Sequence, residues 1–130
     1  MTIERKVSPD LAPPPGYAHV AAAQGCRLVL TAGGVPLDAQ GNLVGEGDVA
    51  AQTRQVIANL IEQLRLGGAS PEDVLKTTVY VAATENPDLV TAWTEVQASP
   101  LAPAASTLLG VACLGYTGQL VEIEAIAAVR

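Results

Sequence analysis

With 130 residues the chain is sized for one domain built around one sheet-and-helix core. Apolar residues make up 49% and charged residues only 15%, yet no run approaches the ~18 apolar residues that a membrane span needs. The net charge of −6, the scattered Lys and Arg, and a set of aromatics limited to Tyr17, Tyr80, Trp93 and Tyr116 argue against nucleic acid as a partner.

So little charge on a soluble chain predicts apolar surface hidden against copies of itself, that is, a homo-oligomer. The opening MTIERKVSPDLAPPPGY has no apolar h-region, so no signal peptide is read there and a cytoplasmic location is expected. In that setting Cys26 and Cys113 are expected as buried reduced thiols. Two cysteines and the single His19 are too few for a zinc site, and neither a metal nor a cofactor is expected.

Residues 1–15 read as an extended arm, because Pro13-Pro14-Pro15 keeps the chain extended and denies it ladder donors. The domain proper is then 16–130. Tyr17–Ala23 and Arg27–Gly34 read as a strand pair turned at Gln24-Gly25. Gly33-Gly34 at the end of the second strand allows close backbone approach or positive φ, and N–H groups open to a ligand; a simple bulge reads equally well. Asp38–Asn42 is a loop, with Leu43-Val44 as a brief strand return.

Asp48 is a plausible N-cap for a helix from Val49, whose stripe runs through Thr53, Val56, Ile57, Leu60, Ile61 and Leu64. Gln52, Arg54, Gln55, Asn59, Glu62, Gln63 and Arg65 fall mostly elsewhere on the wheel, and Gly67-Gly68 ends the helix. Ser70–Asp73 is a capped turn with Pro71 leading it. Val74–Ala83 is a β-branched strand, Leu89–Ala98 a second helix, and Ala104–Leu114 a further strand with a kink expected at Gly110.

The last strand, Leu120–Val129, alternates most clearly. Val121, Ile123, Ala125, Ala127 and Val129 share one face; Glu122, Glu124, Ile126 and Ala128 share the other. Like charges on one face repel unless water or donors receive them. Glu122 reads as solvated or held. Glu124, deeper in the run, is the candidate acid. The order of elements predicts an α+β fold, one mixed sheet with both helices on one face and the other face covered by subunit association.

No phosphate loop, nucleophile elbow or triad spacing is present. His19 either lines a site with Tyr17 or is a partly exposed strand residue, and Cys113, with apolar neighbours, reads as inert core. Between Lys76 and Arg130 there is no Lys or Arg. An anionic ligand near the last two strands would need Arg27, Arg130, another basic residue folded in from elsewhere, or backbone N–H groups.

From about Gly16 to Val129 the chain resembles the Rid (YjgF) family of small imine deaminases. Gly16-Tyr17, TAGG, AAQTRQVIANL, DVLKTTVYV, and above all PAAST followed by VEIEAIA, carry the resemblance. It implies a chorismate-mutase-like subunit forming a homotrimer, with small-molecule sites in the clefts between subunits. In deaminating members an Arg before a Ser binds the carboxylate of a 2-imino or enamine acid, and a Glu on the last strand positions the attacking water. Here the Arg slot falls on Ala105, followed by Ser106 and Thr107, and the Glu slot on Glu124. The segment between Thr107 and Glu122 is also longer than the usual pattern. Loss of the guanidinium costs ~10²–10⁴ in affinity or rate toward a carboxylate.

The expectation is therefore an enamine/imine hydrolase of altered specificity. Glu124 is its acid/base or water holder, Tyr17, Gly33 and Gly34 orient the ligand, and Ala105, Ser106 and Thr107 line the pocket. The alternative is a non-catalytic ligand-binding or interaction module of the same trimeric fold.

Overall fold

A computed structural model describes all 130 residues. The elements are β1 (Ile3–Lys6), β2 (Val20–Ala23), β3 (Arg27–Leu30), α1 (Val49–Leu66), a 3₁₀ turn (Pro71–Asp73), β4 (Val74–Ala82), α2 (Asn86–Gln97), β5 (Ala105–Val111) and β6 (Val121–Val129). The main sheet has the order β3-β6-β4-β5. β6 runs antiparallel to both its neighbours, and β4 pairs β5 in parallel. α1 and α2 make the two crossovers between the parallel strands, as the α+β reading expects. No helix is long and apolar enough to cross a membrane.

The alternation of β6 is realised residue by residue. Val121, Ile123, Ala125, Ala127 and Val129 are all buried, and they meet Val56, Leu60 and Leu64 of α1 in one core with Val74, Val79 and Val81 of β4 and Val96 of α2. Central position explains why this strand carries so little polar side chain toward the helices. Fully burying residues of this size contributes ~1.5–3 kcal/mol each.

Helix α1 begins where expected. Asp48 Oδ1 accepts from the Ala51 N–H at 3.0 Å, and Gly68, at φ +83°, takes the left-handed turn at the other end. Gln52 departs from its expected exposure: it is fully buried. Its Nε2 donates to the carbonyls of Gly45 and Gly118, and its Oε1 accepts from the Leu120 N–H. A polar residue in the stripe is stable there because its amide replaces the missing backbone partners of two loops.

Four expectations are corrected. The arm is not free of ladder bonds, since extended Ile3–Lys6 pairs antiparallel with Val20–Ala23 in a separate two-stranded sheet. Arg5 fastens it by donating to the carbonyls of Glu72 and Val74, which lie where β4 has no β5 partner. As a result β2 and β3 do not form a hairpin; each finds a partner elsewhere. Gly110 does not kink β5, whose pairing with β4 runs without a break from Lys76↔Ala105 to Ala82↔Val111. There the missing side chain makes room for the Ala83 carbonyl, 2.6 Å from where a Cβ would stand. Finally, the cysteines are free but not buried: Cys26 is half-buried and Cys113 exposed, beyond the end of β5. The apolar neighbours of Cys113 do not enclose it.

The sheet face turned away from the helices is only partly covered within the chain: Ala128 is buried there, but its neighbours on that face are not. Leu28 (56% exposed), Leu30 (68%) and Ile126 (36%) form an apolar strip on it, in register as Leu30↔Ile126 and Leu28↔Ala128.

Candidate functional site

The register of β5, β4 and β6 places the polar residues of that open face in rows. Ala105, Lys76 and Ile126 are aligned, then Thr107, Thr78 and Glu124, then Leu109, Tyr80 and Glu122. Side chains reach between rows. The Tyr80 hydroxyl donates to Glu124 Oε1 at 2.6 Å, and Lys76 Nζ donates to Thr107 Oγ1 at 2.7 Å. Glu124 and Glu122 are both half-buried, so burial does not set Glu124 apart as the deeper of the two.

The hydrogen bond to Glu124 is the first cause that pushes the Tyr80 phenol above its ordinary pKa; burial and the charges of Glu124 and Glu122 add to it. Tyr80 is therefore a neutral donor that fixes one carboxylate oxygen of Glu124. Glu122 is held separately. Gln119, itself buried, donates from Nε2 to Glu122 Oε1 at 3.0 Å. A β-carbon at Gly33 would collide with the Glu122 carboxylate, so the glycine there makes space for it. Donors and spacing thus keep the two like charges apart.

The expected site residues fall into two groups. Glu124, Ala105 and Thr107 lie on the open face, with Gly33 against Glu122. Ser106 points to the opposite side, where its Oγ accepts from Thr77 Oγ1 at 2.7 Å. On that side Pro15, Tyr17, Trp93, Ser106 and Leu108 line a cavity of about 240 Å³. Tyr17 stands edge-on to Trp93 with ring centroids 6.1 Å apart, and Trp93 Nε1 donates to the Pro15 carbonyl. Because β5 is the sheet's edge strand, both groups flank one margin of the subunit.

Gly34 does not offer its amide to a ligand. Its N–H donates to the Ile123 carbonyl at 2.7 Å, and its own carbonyl accepts from the Ile123 N–H. His19 is a structural residue: Nδ1 accepts from the Ser8 N–H and Nε2 faces the Ala12 carbonyl at 3.1 Å, which identifies the Nε2–H tautomer. Arg27 turns to the end of α1 and donates to the Gly67 carbonyl. A second hollow, of about 470 Å³, lies between the ends of β4 and β5 and the start of α2; it presents Glu85 and Asp88 and no cation.

Lys76, which local pattern does not bring near β5, lies beside Ala105 and Thr107. Its signal was the pairing of β4 with β5, which a parallel crossover hides from local pattern.

The chain matches the family model described as Endoribonuclease L-PSP over residues 10–129. It belongs to the L-PSP/Rid family. A crystal structure of the Rid-family protein YyfB from Yersinia pestis is similar at 35% identity and a TM-score of 0.86, covering 99% of this chain and 100% of that one. The 3-aminoacrylate deaminase RutC of Acinetobacter baylyi is 33% identical over 75 residues, 58% of this chain and 60% of the relative. The 2-iminobutanoate/2-iminopropanoate deaminase of Salmonella typhimurium is 39% identical over 54 residues, 42% of this chain and 41% of the relative. The chain spans little more than half the length of the RutC-family relatives that it matches. Within this family the two-helix, mixed-sheet subunit described above is the shared framework of the Rid structures.

Proposed function

We propose that this Rid-family chain hydrolyses an enamine or imine at a small-molecule site on the open sheet face, completed by neighbouring copies in a homotrimer. The observation that carries this reading is Glu124, a half-buried carboxylate with one oxygen fixed by a neutral phenol and the other unclaimed. Such a group accepts a proton from a water aimed at C=N carbon. An enamine first takes a proton on carbon to become its imine. Water then adds to the C=N carbon as Glu124 carries one of its protons to nitrogen, giving a carbinolamine. Glu124 next carries the hydroxyl proton to the same nitrogen as C=O forms and ammonia leaves. The deaminase relatives support the reaction class, and the apolar strip at Leu28, Leu30 and Ile126 supports the assembly. The net charge of −6 disfavours an RNA substrate, whatever the description of the family model.

Ala105 sets the specificity apart from that of arginine-bearing relatives, since an alanine offers a carboxylate nothing in return. A non-catalytic ligand-binding role is the second reading. It is favoured by the aromatic cavity at Tyr17 and Trp93, which lies on the other side of β5 from Glu124.

The test is keto-acid release from imines generated in situ by an amino-acid oxidase or threonine dehydratase. Wild type, Ala105→Arg and Glu124→Gln are run side by side after light scattering shows that all assemble alike. Hydrolysis faster than in buffer, lost in Glu124→Gln, is the expected result. No acceleration by either wild type or Ala105→Arg overturns the hydrolase reading in favour of ligand binding.

A further inference from the structure

The open face needs a cation if its ligand is an acid, and the fold supplies a single candidate. Arg27 is engaged at Gly67 on the helix side, and Arg130 lies beyond the far end of β6. Lys76 pairs in register with Ala105, and its ammonium comes to rest on Thr107, two residues along β5. The ion pairs of the chain are Lys6–Glu4, Arg54–Glu95 and Arg65–Glu62. Lys76 takes part in none of them. Its ammonium carries three N–H donors, of which Thr107 receives one.

We propose that Lys76 is the anion-holding residue of this site: its ammonium, steadied by Thr107, receives the carboxylate of an imino or enamine acid while Glu124 faces the C=N carbon. This rests on the hydrolase reading given above. Thr107 and Glu124 stand two strand spacings apart across Thr78, about 10 Å between backbones, and the long Lys and Glu side chains close that span around a small acid and one water. The position differs from an arginine's in kind as well as place. An ammonium is a point charge without the guanidinium's fork, so it binds a carboxylate with less orientational demand. Selectivity for the shape of the acid is then set by neighbouring groups such as Thr78, Thr107 and Leu109.

The experiment compares 2-iminobutanoate with its uncharged amide in wild type, Lys76→Met and Lys76→Arg, together with calorimetric titration of 2-oxobutanoate, the acid product. Lys76→Met is expected to lower kcat/KM for the acid about 10–100-fold more than for the amide, the worth of one charge-assisted hydrogen bond, with the loss carried by KM. Lys76→Arg is expected to restore most of it, and 2-oxobutanoate affinity to fall in parallel in Lys76→Met alone. Equal losses on acid and amide, or unchanged 2-oxobutanoate binding in Lys76→Met, overturn the assignment while leaving the hydrolase reading in place. If wild type accelerates neither substrate, the hydrolase reading fails; Lys76-dependent binding of 2-oxobutanoate then still supports the anion site, and its absence overturns that too.

Discussion

Tyr80 and Glu124 face each other across the β4–β6 pair, with the phenol donating at 2.6 Å to a carboxylate that has no cationic partner. The folded state therefore favours the neutral phenol, and its pKa lies above the ordinary value. The contribution to stability is fully present below the unfolded value of about 10 and is lost as pH rises through the folded pKa. Absorbance near 295 nm should show a late phenolate step that Tyr80→Phe removes. Glu124→Gln should bring that step to lower pH, because it takes away the charge and the strongest acceptor together. A step that stays in place in Glu124→Gln would mean that burial and the charge of Glu122 hold the phenol.

Gly33 and Gly110 both admit a close neighbour, but the neighbours differ. At Gly33 the neighbour is the flexible end of the Glu122 side chain; at Gly110 it is the Ala83 backbone carbonyl. Gly33→Ala should cost at most about 1 kcal/mol, since Glu122 can swing away from Gln119. Gly110→Ala must move backbone and should cost more, about 1–3 kcal/mol. Urea midpoints at one protein concentration compare the two. Equal costs would show that Glu122 is pinned more firmly than one amide hydrogen bond explains.

The legible parts of the sequence were those in which one local rule decided the outcome. Asp48 before an apolar stripe and period two in β6 each specify an element without help from the rest of the chain, and both appear as read. Partners of strands were not legible in this way. Val20–Ala23 is small and nearly featureless, so nothing in it says whether it pairs with Ile3–Lys6 or with Arg27–Leu30. The site divided for a related reason. Ala105, Ser106 and Thr107 are adjacent in sequence, but a strand sends alternate side chains to opposite faces. Lys76 comes beside Ala105 only through a parallel pairing made across an intervening helix.

Leu28 and Leu30 lie side by side with Ala128 and Ile126 on the open face, more exposed than isolated surface leucines need be. If this strip is the subunit contact, Leu30→Lys should dissociate the assembly without unfolding the subunit, because the helix-side core does not include it. Light scattering should give a subunit of monomer mass at micromolar concentration, with unchanged far-UV circular dichroism. An unchanged assembly mass would assign the contact to another face.

Gln52 carries the connection between α1 and the approach to β6. Its Nε2 serves the carbonyls of Gly45 and Gly118, and its Oε1 serves the Leu120 N–H at 2.7 Å, all from a side chain that solvent does not reach. Gln52→Leu keeps the volume nearly constant, so any cost reflects lost hydrogen bonds rather than a cavity. We expect about 2–4 kcal/mol, since each orphaned group costs about 1–3 kcal/mol and water relieves the ones nearest the surface. The effect should also be local: amide exchange at Leu120 should speed up in the folded state, loosening the loop that leads Glu122 and Glu124 into the sheet. Urea unfolding and hydrogen exchange measure both. A Gln52→Leu protein as stable as wild type, with Leu120 still protected, would show that the two loops hold their places through backbone pairing alone.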